Sequence, residues 1–461
     1  MTKLDEQIWI KYALGIQSWS GKNGQPDPKA VYFIASAVTL GPAAGSFVPD
    51  ENMNNALYYL CDSLIANTSP VYNPGGAGSY FNSVYKYMNS VELKKNHDQG
   101  LQQQLDDAKA KFDEVDEEYY TKQNKAIERW GNDRFSGEKA GVSFPSWVNS
   151  NAQGLLQLQE EKSDRAEVVS QIRLRMFGPE AATLNKQKND LVQARDKAVF
   201  TNGLSMKTTL NQINPSDYEK YYKATQNGTV GDLPALKVNG TFNRPAYTIT
   251  NGTYKVLMDQ WARVPMDAED EFEYTIKYSE LEETSWTKLG HRDAGIEFGW
   301  GFLRFRIGGS KEWKESEITK KSGSFEIQLS AQRAALVDVR PGAWNVERFR
   351  QTYPGVDKDI GMAKNAVQPT QLFLASRVKI RVKFTGEMEK EFDKLAKDAK
   401  DGKLGISLLG FSIGPSGGTT DEETSHTSSL VKEDGWYKME PTLVIGGCSM
   451  LGVIGNKLDV E

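Results

Sequence analysis

The sequence predicts an α+β protein. An N-terminal helical domain with a long antiparallel helical hairpin precedes a mainly antiparallel β domain, which is sandwich-like or barrel-like. From about residue 50 to about residue 200, apolar residues recur every three or four positions, which is the helical period. Beyond about residue 225 they alternate with polar residues, which is the period of a half-buried strand. We therefore expect a helical domain at residues 1–205 and a β domain at residues 206–461.

The first arm of the hairpin is expected at about residues 91–130. Its apolar residues form one narrow seam between charged positions, at spacings of four and three. They are Leu101, Leu105, Ala108, Phe112, Val115, Tyr119 and Ala126. A single seam of this kind is typical of a coiled coil or a long helical hairpin, because it can bury only one partner helix.

The second arm is expected at about residues 151–202, with a break at Gly178-Pro179. Proline removes a backbone donor and crowds the preceding turn, so the helix should kink or restart there. The glycine-rich stretch at residues 131–150 is expected to form the tip. The two arms should therefore run antiparallel.

Strict alternation marks the strands of the second half. The alternating runs are Phe272–Tyr278, Ile296–Trp300, Phe325–Leu329 and Val378–Phe384. Alternation means one buried and one solvent-facing side, which favours an antiparallel sandwich or barrel over a parallel α/β sheet. One helix is expected inside this domain near residues 386–400, where MEKEFDKLAKDAK has helical spacing.

Composition and charge exclude several classes of protein. The formal net charge of −5 argues against a general nucleic-acid binder, which usually carries a basic stripe. The N-terminal stretch MTKLDEQIWIKYALG lacks the basic and apolar regions of a secretory signal. Cys61 and Cys448 lie too far apart to indicate a disulfide framework. We expect cytoplasmic synthesis without a signal peptide, and release by a signal-less route stays open.

The one explicit catalytic motif is GFSIG at residues 410–414, which fits the GxSxG nucleophile elbow around Ser412. Asp421 and His426 follow in the order of a serine hydrolase. The elbow requires a strand before the serine and a helix after it, whereas a polar loop follows here. A glycine-containing strand is therefore the favoured interpretation, and Ser412, Asp421 and His426 are the residual catalytic candidates.

Two acidic clusters offer oxygen ligands to a cation such as calcium. The candidate metal ligands are Asp267, Glu269, Asp270, Asp357 and Asp359. Neither cluster completes an EF-hand loop with its terminal glutamate. Short runs of like charge usually face water, so solvated surface is the favoured interpretation. No cofactor is expected, because the glycine-rich run at residues 444–455 lacks the lysine of a phosphate loop.

Three functions stay open. The favoured one is a non-enzymatic self-assembling or interaction protein, whose partner is another copy or another protein. The second is a membrane-active protein: the hairpin together with AVYFIASAVTLGPAAGSFV, residues 30–48, resembles the architecture of helical pore-forming toxins. That resemblance implies a sequestered apolar segment that moves into lipid, with the Trp-rich β domain docking on lipid or glycan. The third is a serine hydrolase that uses Ser412.

Overall fold

The structure is a computed structural model. It describes residues 3–20, 30–72, 77–92, 99–135, 144–196, 203–209, 220–221, 223–225, 227–234, 240–249, 254–265, 267–281, 285–291, 301–307, 312–354, 356, 360, 366–413, 429–440 and 447–458. Over these ranges the fold is α+β, as predicted, with helices packed against mainly antiparallel sheets. The strands of the described ranges form open sheets and do not close into a barrel.

Helices and strands alternate before the hairpin begins. The elements are α1 (Lys3–Ser20), β1 (Ala30–Leu40), α2 (Asp50–Cys61), β2 (Ile65–Ala66) and α3 (Tyr80–Ser90). Both strands lie in the part of the chain that was expected to be helical. They nevertheless pair with strands from the second half of the chain. The apolar segment 30–48 thus begins as a buried strand of the main sheet.

The helical hairpin is confirmed. It comprises α4 (Gln99–Phe135), α5 (Phe144–Asn151), α6 (Gln153–Phe177) and α7 (Pro179–Arg195). Leu105, near the start of α4, packs with Met176 at the end of α6. Trp130, near the end of α4, packs with Leu155 at the start of α6. The two arms therefore run antiparallel. The predicted break lies at Gly178, whose φ of 77° separates α6 from α7.

The second half supplies most of the strands. Its elements are β3 (Ser205–Thr208), β4 (Phe242–Pro245), β5 (Tyr247–Ile249), α8 (Tyr254–Ala262), β6 (Phe272–Lys277), β7 (Leu303–Ile307), β8 (Lys314–Glu315), β9 (Phe325–Pro341), α9 (Phe349–Thr352), β10 (Ala366–Phe384), α10 (Gly386–Lys400), β11 (Leu404–Leu408), β12 (Phe411–Ile413), β13 (Ser429–Glu433), β14 (Trp436–Glu440) and β15 (Ser449–Lys457). The alternating runs that begin at Phe272, Phe325 and Val378 lie in β6, β9 and β10. The run at residues 296–300 lies outside the described residues. The inserted helix, α10, spans the predicted residues.

Two long strands organise the main sheet. β9 and β10 pair antiparallel from Phe325 opposite Phe384 to Asp338 opposite Gln371. The other edge of β10 pairs with β15 and, further along, with β14. The other edge of β9 pairs with β6 and then β5. β1 pairs with β15 and is the end strand in the order β1-β15-β10-β14-β13. Smaller sheets join β12, β11, β7 and β8, and β3 with β4.

The first half of β10 is buried on both faces. Leu372 and Leu374 belong to an apolar cluster with α2, α3 and α7. Phe373 and Ala375 belong to a second cluster with α1 and α10. Fully burying one large apolar side chain contributes about 1.5–3 kcal/mol, so these two layers fix the sheet between its helices. In the second half of β10 the predicted alternation holds, with buried Val382 followed by exposed Lys383.

Candidate functional site

A polar cleft lies where α3, α4, α6 and α7 meet, at the end of the hairpin opposite its tip. Its volume is about 320 Å³. Lys109 and Asp113 line it from α4, Arg173 from α6, and Asn185 and Lys188 from α7. Residues three or four apart share one face of a helix, so each pair on α4 and α7 points to the same side. The cleft therefore brings together charged groups from three helices.

Half-buried cations line this cleft. The Arg173 Nη1 atom donates to the Oδ1 atom of Asn185 over 2.6 Å. The Lys188 Nζ atom donates to the carbonyl oxygen of Val91 over 3.2 Å. Burial, together with the charges of Arg173 and Lys109, lowers the pKa of Lys188 to about 8. Burial also lowers the pKa of Arg173, although Asp113 opposes that shift.

Two acidic groups, Asp113 and Asp116, also line the cleft. Asp113 is exposed, and partial burial together with the charge of Asp116 raises its pKa. Asp116 forms an ion pair with Lys162 at 2.6 Å and a longer one with Arg195 at 3.6 Å. A second cavity of about 360 Å³ opens beside these groups and is also lined by Tyr120. Asp116 thus has cationic partners of its own, separate from Arg173 and Lys188.

A charge network ties the hairpin to the end of α7. Lys162 on α6 lies 2.7 Å from Asp196 as well as 2.6 Å from Asp116 on α4. Arg195 donates to the other oxygen of Asp196 over 2.8 Å, and its guanidinium stacks 4.9 Å from the ring centre of Tyr85. The side chain of Asp196 is 2% exposed. A buried carboxylate with two cationic partners therefore holds three helices in one arrangement.

Ser412 lies in β12, opposite Ser407 of β11. The turn between these strands consists of Leu409 and Gly410, with φ angles of 49° and 85°. Ser412 is thus a strand residue just after a tight hairpin turn. Within residues 404–413 the strand–turn–helix context of a nucleophile elbow does not occur. The other two hydrolase candidates, Asp421 and His426, lie outside the described residues.

The candidate metal ligands do not converge where the structure describes them. Asp270 accepts from Lys379 over 3.0 Å and from Ser330 over 2.7 Å, so both carboxylate oxygens are engaged. Asp267 and Glu269 are exposed. Over the described part of the chain, no group of three or more His, Cys, Asp or Glu could hold a metal ion. Asp357 and Asp359 lie outside that part.

The cleft escaped the sequence analysis because its members are scattered along the chain. Arg173 and Asn185 are separated by a helix break, and Lys109 comes from the opposite arm. One signal was present: Asn185 and Lys188, three positions apart, both lie beside the apolar stripe that Leu184 and Leu191 form. Polar residues that flank a buried stripe are candidates for an internal polar site.

No helix within the described ranges is long and apolar enough to cross a membrane. The chain matches no family model, no curated protein and no solved structure.

Proposed function

We propose that this chain is a non-enzymatic interaction protein that self-associates through its helical hairpin. The supporting observation is that the hairpin builds apolar clusters of its own. One joins the second half of α4 to α5 and the start of α6, around Trp130 and Trp147. The other joins the start of α4 to the end of α6, around Leu105 and Ile172. Among the described residues, neither cluster includes one from a β-strand.

The dimensions of the hairpin favour this function. α4 has 37 residues, and at 1.5 Å per residue it extends about 55 Å. Two such helices bury only one stripe each, whereas four helices in a bundle bury a wider face of each helix. Pairing two hairpins would therefore add apolar burial that one hairpin cannot provide.

Apolar side chains remain on the outside of the hairpin. Tyr120 of α4 is 40% exposed, and Val168 and Leu174 of α6 are 47% and 45% exposed. Isolated exposed apolar residues are common on protein surfaces. On two helices that already use one seam for each other, they are the groups that a second hairpin would cover.

Sedimentation velocity over a range of protein concentrations tests this function. The wild type should form oligomers as concentration rises, and Val168→Lys combined with Leu174→Lys should weaken that association. The matched control is Val256→Lys on α8, because Val256 is 52% exposed but lies outside the hairpin. It should assemble like the wild type. A wild type that stays monomeric at every concentration contradicts the proposal, as does equal assembly of the hairpin variant.

A membrane-active function is the second candidate, and one observation favours it. β1 carries the apolar run at residues 30–40 and is the end strand in the order β1-β15-β10-β14-β13. Its outer edge is covered by hydrogen bonds of Ile34 with Pro70 and Tyr72. Release of that cover would expose an apolar strand edge. Dye-loaded liposomes at neutral and acidic pH provide the test; an absence of both leakage and cosedimentation removes this candidate.

A further inference from the structure

Asn185 holds a buried donor that no group in the described part of the chain accepts. The residue is 3% exposed. Its Oδ1 atom accepts from Arg173 over 2.6 Å. A guanidinium carries only donors, so this contact fixes the orientation of the amide and leaves Nδ2 turned away from Arg173. Among the described residues Nδ2 has no hydrogen-bond partner, although Asn185 lines the cleft. A buried donor without an acceptor costs about 1–3 kcal/mol.

Three cationic side chains bring further donors to the same cleft. Arg173 has five N–H groups, and one of them serves Asn185. Lys188 has three, and one serves the carbonyl oxygen of Val91. Lys109 lines the cleft from α4. The three cations and the amide of Asn185 therefore bring their hydrogen-bond donors to the same cleft.

The nearby carboxylates compensate this positive charge only in part, since Asp113 acts on Arg173 and Glu92 acts on Lys188, both from exposed positions. Asp116 is held by Lys162 and Arg195. Asp113 is an exposed side chain on the rim. Burial and the charges of Arg173 and Lys109 together lower the pKa of Lys188, which means that these surroundings disfavour its charged form relative to water. An anion placed among these groups would reverse that effect.

We propose that the cleft binds a phosphate-type oxyanion of a small molecule, held by Arg173, Lys188 and the Nδ2 atom of Asn185. The donors present exceed what the two oxygens of a carboxylate can accept, which favours a tetrahedral oxyanion. Arg and Lys side chains form strong charge-assisted hydrogen bonds to such groups. A volume of about 320 Å³ leaves room for a small group attached to the phosphate. This site goes beyond self-association, because a single copy of the chain forms it.

Isothermal titration with inorganic phosphate tests the site. The wild type should bind saturably with one site per chain. Lys188→Met and Asn185→Leu should each weaken binding at least about tenfold, a loss of about 1.4 kcal/mol. The matched control is Lys186→Met on the same helix, since Lys186 is 76% exposed and pairs with Asp190 at the surface. Its affinity should equal that of the wild type, and circular dichroism checks that each variant folds.

Two results would overturn the proposal. One is a wild type that shows no saturable binding at millimolar phosphate, which needs no variant to interpret. The other is an equal loss in Lys186→Met and Lys188→Met, which would indicate general attraction to surface charge. Vesicles containing phosphatidic acid, compared with phosphatidylcholine alone, separate two sources of the phosphate. If the protein sediments with the phosphatidic acid vesicles and Lys188→Met does not, the phosphate belongs to a lipid headgroup. If the protein binds free phosphate but does not sediment with vesicles, the phosphate belongs to a soluble molecule.

Discussion

The imidazole Nε2 atom of His291 lies 2.7 Å from the carbonyl oxygen of Tyr32 in β1. A neutral imidazole with its proton on Nε2 donates to that oxygen. Ile34, two residues further along β1, bonds outward to Pro70 and Tyr72 through its own main chain. The side chain of His291 therefore bonds to the same outer edge of β1 as Pro70 and Tyr72. The backbone groups of that edge would otherwise be unpaired.

The first prediction concerns the pH dependence of stability. His291 is 4% exposed, and burial lowers its pKa from 6.5 to about 4. Between these values the unfolded chain binds more protons than the folded chain, so stability should fall as pH drops from about 7 to about 4. The loss should reach roughly 3 kcal/mol, at about 1.4 kcal/mol per pH unit. Urea unfolding at several pH values measures it.

His291→Gln should flatten this pH dependence, because a glutamine amide can donate to Tyr32 without titrating. His97→Gln removes a different imidazole and is the control. If both variants keep the full loss of stability below pH 6, His291 is not the group responsible.

The second prediction concerns the turn that carries His291. Gly290 has a φ of 87°, and a Cβ atom there would lie 2.2 Å from the carbonyl oxygen of Ala30. Gly290→Ala should therefore destabilise the protein through both the left-handed backbone and a clash with β1. The matched control is Gly402→Ala, because Gly402 has a φ of 73° with nothing within 4 Å of the added atom. In Gly402→Ala the free energy of unfolding should fall by only about 1–2 kcal/mol, which is the cost of the left-handed conformation.

Denaturant midpoints of the two glycine variants measure this difference. Gly290→Ala should be less stable than Gly402→Ala by at least about 1 kcal/mol, since overpacking of this kind costs about 1–3 kcal/mol. Equal losses would mean that the turn does not press against β1.

The third prediction concerns the charge network at the end of α7. Lys162→Met removes the cation that bridges Asp116 and Asp196. Asp196 would keep Arg195 as its only ion-pair partner among the described contacts. We expect a loss of about 2–3 kcal/mol, somewhat less than the 3–5 kcal/mol measured when a buried pair loses a partner completely.

The surface pair Lys186–Asp190 provides the comparison for that loss. Lys186→Met should change stability by no more than about 1 kcal/mol, because exposed ion pairs contribute little. Thermal unfolding of both variants gives the answer. A loss in Lys162→Met no greater than in Lys186→Met would show that the network does not hold the helices together.

Local patterns predicted α10 and the hairpin well. The run at residues 386–400 carries one apolar stripe, acidic residues in its first turn and lysines in its last, all of which favour the same helix. Gly178-Pro179 predicted the break between α6 and α7, because glycine readily adopts positive φ and proline suits the first position of a helix. In each case neighbours in the sequence determine the structure.

β1 shows where periodicity fails. AVYFIASAVTL has no charged residue, and its first six residues, 30–35, are all apolar or aromatic, because one side of the strand packs in the cluster of α1 and the other in the cluster of α2 and α3. A continuous apolar run does not distinguish a buried strand from a buried helix. Its pairing with β15 joins residues more than 400 positions apart, from Ala30 opposite Asn456. Periodicity within a segment contains no information about such a partner.

The cleft could be predicted only in part for the same reason. Helical spacing places Asn185 and Lys188 on one face of α7. The contact between Asn185 and Arg173 depends on how α7 turns back after Gly178. Asp270, a candidate metal ligand on the sequence, pairs with Lys379, which is 109 positions away. Both contacts follow from tertiary packing.

Hydrogen–deuterium exchange at low and high protein concentration tests the central claim, self-association through the hairpin, most directly. The account predicts that amides of α4 and α6 exchange more slowly at high concentration, while those of β9 and β10 are unchanged. Slower exchange confined to the sheet strands, or oligomers that form with no change in α4 and α6, would contradict it.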